Sequence, residues 1–138
     1  METVDGTVLL AILQGGPRGD AGCALLQRCV DEGTRLRVHV WTVVDLAVTL
    51  EGVATGGTAG FLDFHKAIGG VRAQVAADLA SLLSHAALEV SDDVLEALAV
   101  YGKYRVPCAD ALGAVHARGD VIWSWRESEV PGAWRAPT

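Results

Sequence analysis

The residues of this sequence that suit ligand chemistry stand mostly in turns after predicted strands, where open parallel sheets bind ligands. They are Gln14, Gly15, Gly16, Arg18, Asp20, Asp45, Ser91 and Asp92. The first of these turns follows residues 7–14, a continuous apolar run bounded by glycine and proline, which predicts a central strand buried on both faces. Asp45 and Ser91 follow later predicted strands. Right-handed crossovers bring the carboxyl ends of parallel strands to one edge, so we expect these turns to meet there.

Arg18 is the cation of the first turn. It follows Pro17 and precedes a predicted helix, residues 20–32, which Asp20 would cap. Backbone N–H groups at a helix start and a guanidinium both attract anions. The pattern predicts a small anionic ligand. The alternative is that Arg18 pairs with Asp20 or another acid.

Three cysteines, Cys23, Cys29 and Cys108, form no CxxC pair, so neither a disulfide framework nor a zinc site is indicated. Cys108 lies outside the first helix, at the predicted start of a later one, where a thiolate would be stabilised. It is the candidate catalytic residue. The alternative is a buried, inert thiol. No cofactor and no metal ion is expected.

The pattern of elements predicts an α/β fold: a single three-layer domain with a mainly parallel open sheet over residues 1–125, followed by an irregular tail, residues 126–138. Predicted strands cover residues 7–14, 35–44, 87–90 and 121–125, the second of them alternating polar and apolar. Predicted helices cover residues 20–32, 71–87 and 109–117, and another begins at Asp92 and Asp93. Residues 52–60 are glycine-rich and predict a loop.

A net charge of −6 argues against nucleic-acid binding, because phosphate backbones are bound by clustered Lys and Arg. No apolar run approaches the roughly 20 residues of a membrane helix, and no signal peptide is visible. We therefore expect a cytoplasmic protein that binds neither nucleic acid nor membrane. Four tryptophans, two of them in or near the tail, predict a homo-oligomer.

Two segments, residues 40–52 and residues 106–125, resemble the DsrE/DsrF-like sulfur-relay family. Residues 40–52 are similar to that family's second strand leading through an acidic residue into a short helix, and residues 106–125 are similar to its closing helix and strand. The resemblance implies a DsrE-like fold and a trimer or hexamer. Sulfur-carrying members have a cysteine after the third strand, where this chain has Ser91 and Asp92, so persulfide chemistry is not expected there.

Three functions remain open at this point. The first is a DsrE-like oligomer that binds a small anionic ligand or a protein partner at the carboxyl ends of its strands. The second is a sulfur carrier or enzyme that uses Cys108. The third is a nucleotide-binding domain of the stress-protein kind that uses Gly15, Gly16 and Asp20, although the GxGxxG spacing is absent.

Overall fold

The computed structural model describes residues 2–55, 61–103, 112, 113, 115, 120–126 and 133–138. All strands among these residues belong to one open parallel sheet. They are β1 (Glu2–Val4), β2 (Leu36–His39), β3 (Leu88–Ser91), β4 (Val121–Trp123) and β5 (Ala133–Arg135). Their order across the sheet is β3-β2-β1-β4-β5. In the register of the sheet, Thr3 of β1 lies opposite Arg37 of β2 and opposite Ile122 of β4.

Helices connect β1, β2, β3 and β4. They are α1 (Gly6–Gln14), α2 (Gly16–Glu32), α3 (Val40–Thr55), α4 (Phe61–Leu83) and α5 (Val94–Lys103). Leu112, Gly113 and Val115 are also helical. None of the helices in the described residues is both long and apolar enough to cross a membrane.

The buried side chains form two clusters, and the connection that runs back from β3 to β4 places α5 on the face of the sheet opposite to the earlier helices. The larger cluster joins α1, α2, α3 and α4 to side chains such as Val4, Leu36 and Trp123. The smaller cluster contains Ala97, Leu112 and Val115 and belongs to α5 and the helical residues after it. The predicted α/β domain with a mainly parallel open sheet in three layers is therefore confirmed.

The strand predicted over residues 7–14 is wrong, because this run forms α1. Asp5 caps the helix, since its Oδ1 accepts hydrogen bonds from the backbone N–H groups of Thr7 (2.9 Å) and Val8 (3.4 Å). The run is apolar all round because the sheet, α2 and α3 enclose α1, with Val8 and Leu9 fully buried. The central strand is instead β1, which lies immediately before Asp5.

Other element boundaries also differ from the prediction. The second strand ends at His39, and residues 40–44 begin α3 rather than continuing the strand. Asp20 caps no helix, because α2 begins at Gly16, with Pro17 in its first turn. The segment 126–138 includes β5, which pairs with β4 and extends the sheet. Residues 52–55 are the end of α3, and the rest of the predicted glycine-rich loop lies outside the described residues.

Several predicted elements are found. Helix α2 ends at Gly33, which has the left-handed φ of 67° expected of a glycine after a helix. Strand β3 and helix α5 follow in the predicted order, with Asp92 and Asp93 between them. Helix α4 includes most of the helix predicted over residues 71–87, but it begins at Phe61 and ends at Leu83.

Helices α1 and α2 pack unusually closely. Gly15 has a φ of 80° and turns the chain from one helix into the other. A Cβ on Gly19 would lie 2.5 Å from the backbone oxygen of Ala11, and one on Gly22 would lie 2.6 Å from the Ile12 side chain. Both positions therefore need glycine for the helices to meet.

Candidate functional site

The candidate site lies where β1 and β4, neighbours in the sheet, end side by side. The chain leaves β1 towards β2 on one side and leaves β4 towards β5 on the other. Such a change in direction opens a crevice at the carboxyl ends of the strands, and ligands of open α/β sheets bind in this crevice. Two cavities adjoin the crevice, and both are lined by Thr7 and Leu10.

A buried hydrogen-bond network at this crevice is built on Asp5, which is only 2 % exposed. Besides capping α1, its carboxylate accepts hydrogen bonds from Thr7 Oγ1 and Ser124 Oγ, each at 2.5 Å. The guanidinium of Arg126 lies 3.9 Å from Asp5 Oδ2. The chain's own donors thus occupy both carboxylate oxygens, and Asp5 serves to join β1 to β4.

The same network fixes the segment after β4. The backbone N–H of Trp125 donates to Thr7 Oγ1 (2.9 Å), and that of Arg126 donates to Ser124 Oγ (3.1 Å). As a result, the next two side chains line different cavities: that of Trp125 lines the first and that of Arg126 lines the second.

The first cavity, which we call the Trp125 cavity, has a volume of about 660 Å³. Its lining is Thr7, Leu10, Ala11, Gln14, Gly15, Pro17, Arg18 and Trp125. The Arg18 guanidinium lies over the Trp125 ring, 4.9 Å from its centre. Nε1 of Trp125 is buried and has no hydrogen-bond partner among the described residues.

The ion pair between Arg18 and Asp20 that the sequence offered as an alternative is not formed. Within the described ranges, Arg18 makes no ion pair at all, and its contact with Trp125 leaves the guanidinium N–H groups unpaired. Arg18 lies in the first turn of α2, where the backbone N–H groups of the helix carry partial positive charge. The unpaired guanidinium adds its charge to theirs. The Trp125 cavity therefore has a positive wall.

The second cavity, which we call the Asp45 cavity, has a volume of about 290 Å³. Its lining is Gly6, Thr7, Leu10, Thr42, Asp45, Leu46, Val48, Thr49 and Arg126. Asp45 lies in α3, one turn after the helix begins, and its side chain is exposed. Its backbone oxygen accepts from Thr49 Oγ1 (2.8 Å), but its carboxylate has no partner among the described residues.

The predicted ligand-binding residues are only partly brought together. Gln14, Gly15 and Arg18 line the Trp125 cavity and Asp45 lines its neighbour. Gly16 begins α2 next to this lining, whereas Asp20 is exposed further along the helix and lines neither cavity. Ser91 and Asp92 lie beyond β2 at the end of edge strand β3. Cys108 lies outside the described residues.

Sequence reasoning missed the residues that build the crevice, namely Asp5, Thr7, Ser124, Trp125 and Arg126. A signal for Asp5 was present, because an Asp two residues before a Thr and an apolar run is a typical helix N-cap. The segment after β4 has a weaker signal in the sequence, because its pattern predicts that the strand continues to Trp125, whereas β4 ends at Trp123.

His39 is another buried polar group at this edge of the sheet, 1 % exposed at the end of β2. Its Nδ1 accepts a hydrogen bond from the backbone N–H of Trp41 (3.1 Å). Burial lowers the pKa of His39 below its ordinary value of 6.5, while Asp93 and Asp92 act in the opposite direction. The neutral imidazole is therefore the form that the fold accommodates.

The thiol of Cys29 is not activated. Cys29 is buried in the core, and this burial raises its pKa above the ordinary value of 9.0, although a hydrogen bond with Thr34 opposes the effect. Cys23 is exposed. No three His, Cys, Asp or Glu side chains in the described ranges are grouped so as to hold a metal ion.

The tryptophans that predicted an oligomer are packed within this chain. Trp123 is 8 % exposed and its Nε1 donates to Glu2 (3.0 Å), while Trp41, Trp125 and Trp134 are half-buried. They supply no argument for an oligomer, which stays a prediction. The chain matches no family model, and the search of curated proteins found no similar sequence.

Proposed function

We propose that this chain is a ligand-binding domain whose ligand is a small anion with an apolar body, held in the Trp125 cavity. The observation that carries the proposal is the Arg18 guanidinium, which lies at the cavity without an ion pair among the described residues. An unpaired cation at a cavity with apolar walls favours a ligand that supplies both the anion and the apolar surface.

The size and lining of the cavity support this ligand class. Its volume of about 660 Å³ lies within the roughly 300–1,000 Å³ typical of small-molecule sites. Leu10, Pro17 and Trp125 offer apolar contact, and a small number of polar groups could fix the ligand's orientation.

The family resemblance and the oligomer belong to this proposal as expectations. Residues 40–52, which carry half of the resemblance, form part of α3 rather than a strand leading into a helix. Ligand binding at the carboxyl ends of the strands depends on neither expectation. Nucleotide binding has no such observation in its favour among the described residues, and Cys108, on which the other alternative depends, lies outside them.

The test uses para-methylbenzoate and its uncharged amide, para-methylbenzamide, as probes in a ¹H–¹⁵N NMR titration of the tryptophan indole signals. Trp125→Phe assigns the signal of Trp125. We expect the benzoate to shift this signal and the amide to do so only weakly. Arg18→Ala should weaken benzoate binding by about 1–3 kcal/mol, the loss of a charge-assisted hydrogen bond.

Arg28→Ala is the matched control. Arg28 also lies over a tryptophan, with its guanidinium 5.1 Å from the centre of the Trp123 ring, but it lines neither cavity. It should leave benzoate binding unchanged. A benzoate affinity that is equal in the wild type and in Arg18→Ala would refute the proposal, as would the absence of any shift at Trp125.

A further inference from the structure

The two cavities at the crevice carry opposite charge. Arg18 is the ionisable side chain in the lining of the Trp125 cavity, which is therefore positive. The Asp45 cavity is lined by Asp45 and Arg126, and Arg126 lies against the buried carboxylate of Asp5. Counting the Asp5 carboxylate behind the lining, two carboxylates and one guanidinium lie at the Asp45 cavity, which leaves it with a surplus negative charge.

The surplus belongs to Asp45. The charge of Arg126 is balanced by Asp5, which lies 3.9 Å away and is excluded from water. The carboxylate of Asp45 has neither an ion pair nor a hydrogen bond among the described residues, although it lines a cavity. It is thus the acidic counterpart of Arg18, across a wall that the two cavities share.

That wall is formed by Thr7 and Leu10, which line both cavities. The hydroxyl of Thr7 is already engaged with Asp5 and with the backbone N–H of Trp125. The shared wall therefore has no side-chain donor or acceptor left over for a ligand and is mainly apolar. A ligand that matches this arrangement has an anionic group for Arg18, an apolar segment for the shared wall and a cationic group for Asp45.

We propose that the ligand is a zwitterion that spans both cavities, with its anionic group at Arg18 and an ammonium group at Asp45. This inference rests on the proposed function, because it keeps the anion in the Trp125 cavity and adds the second half of the ligand. A second anionic group in the Asp45 cavity is disfavoured, since Asp45 would repel it and Asp5 balances Arg126.

The test compares two pairs of probes that differ only in an ammonium group. They are para-aminomethylbenzoate with para-methylbenzoate, and ε-aminocaproate with caproate. In each pair we measure the ratio of the two dissociation constants by the same indole titration. We expect the aminated probe of at least one pair to bind about two- to fivefold more tightly, the gain of a solvent-accessible ion pair.

Asp45→Asn should reduce this ratio to about one, because the amide keeps the shape of the side chain and removes its charge. Asp20→Asn is the matched control, since Asp20 is an exposed carboxylate that lines neither cavity. It should leave the ratio as in the wild type. The ratio should also fall towards one at high salt.

The outcomes separate the two proposals. Arg18-dependent binding of caproate or para-methylbenzoate with a ratio of one in both pairs would overturn the zwitterion and leave the anion site standing. A ratio that persists in Asp45→Asn would also overturn it, because the ammonium would then lie elsewhere. If no carboxylate binds in the Arg18-dependent manner, the proposed function fails and the zwitterion fails with it.

Discussion

Replacing Asp5 with alanine should destabilise the protein more than removal of any exposed helix cap. The variant loses the cap of α1, which is worth about 1 kcal/mol. It also leaves the buried hydroxyl of Ser124, which is 2 % exposed, without its acceptor, at a cost of about 1–3 kcal/mol. Together these losses predict a fall of about 3 kcal/mol in the free energy of unfolding.

The measurement is equilibrium urea unfolding followed by far-ultraviolet circular dichroism, with the slope against urea checked for constancy. Asp93→Ala is the comparison, because Asp93 directly precedes α5 but is exposed, so its loss should cost about 1 kcal/mol or less. Asp5→Asn keeps an oxygen that can cap α1 and should cost less than Asp5→Ala. This second variant also gives a measurement if Asp5→Ala does not fold.

An Asp5→Ala variant no less stable than Asp93→Ala would refute the reasoning. It would mean that Ser124 finds another acceptor and that the bond between the ends of β1 and β4 adds nothing to stability. Equal loss in Asp5→Ala and Asp5→Asn would instead show that the negative charge, rather than the cap, is the important property.

Two further predictions concern packing and pH. Gly19→Ala should lower the free energy of unfolding by about 1–3 kcal/mol, because a Cβ there would lie 2.5 Å from a backbone oxygen of α1. Gly52→Ala should instead raise the free energy of unfolding by about 0.5–1 kcal/mol, because a Cβ at this position of α3 would have no other atom within 4 Å. Urea unfolding of both variants checks these expectations, and a stabilised Gly19→Ala would contradict them. Because burial lowers the pKa of His39, the unfolded chain binds more protons, so stability that is complete above pH 6.5 should be lost as the pH falls below that value. The urea midpoint across this range should depend less on pH in His39→Asn, and an equal dependence would show that other groups are responsible.

The sequence was sufficient to predict the class of fold because the parallel strands and their helices have distinct patterns. Gly33 marks the end of α2, and β3 is followed by an acidic helix start. The interpretation failed for residues 7–14, since an apolar run of this length is compatible with a buried strand or a buried helix. Enclosure of α1 by the sheet and two helices decides the matter, and this is a tertiary effect.

The residues of the candidate site were predicted only in part, because contacts between distant parts of the chain also decide which of them come together. Gln14, Gly15, Arg18 and Asp45 do line the crevice, although they reach it from helices or a turn between helices and not from strand ends. Ser124 and Asp5 could not be paired from the sequence, because their hydrogen bond joins residues 119 positions apart. Only the neighbouring positions of β1 and β4 in the sheet bring them together.

The contact between Thr7 and Trp125 makes the Trp125 cavity a property of the whole domain. Its two walls are 118 positions apart in the sequence and meet only while β1 and β4 are paired. Separation of the two strands would remove the Trp125 wall, whereas the other lining residues all lie in α1, in α2 or at the turn between them. Occupancy of the cavity should therefore slow amide hydrogen exchange in β1 and β4 together, by protecting against global rather than local opening.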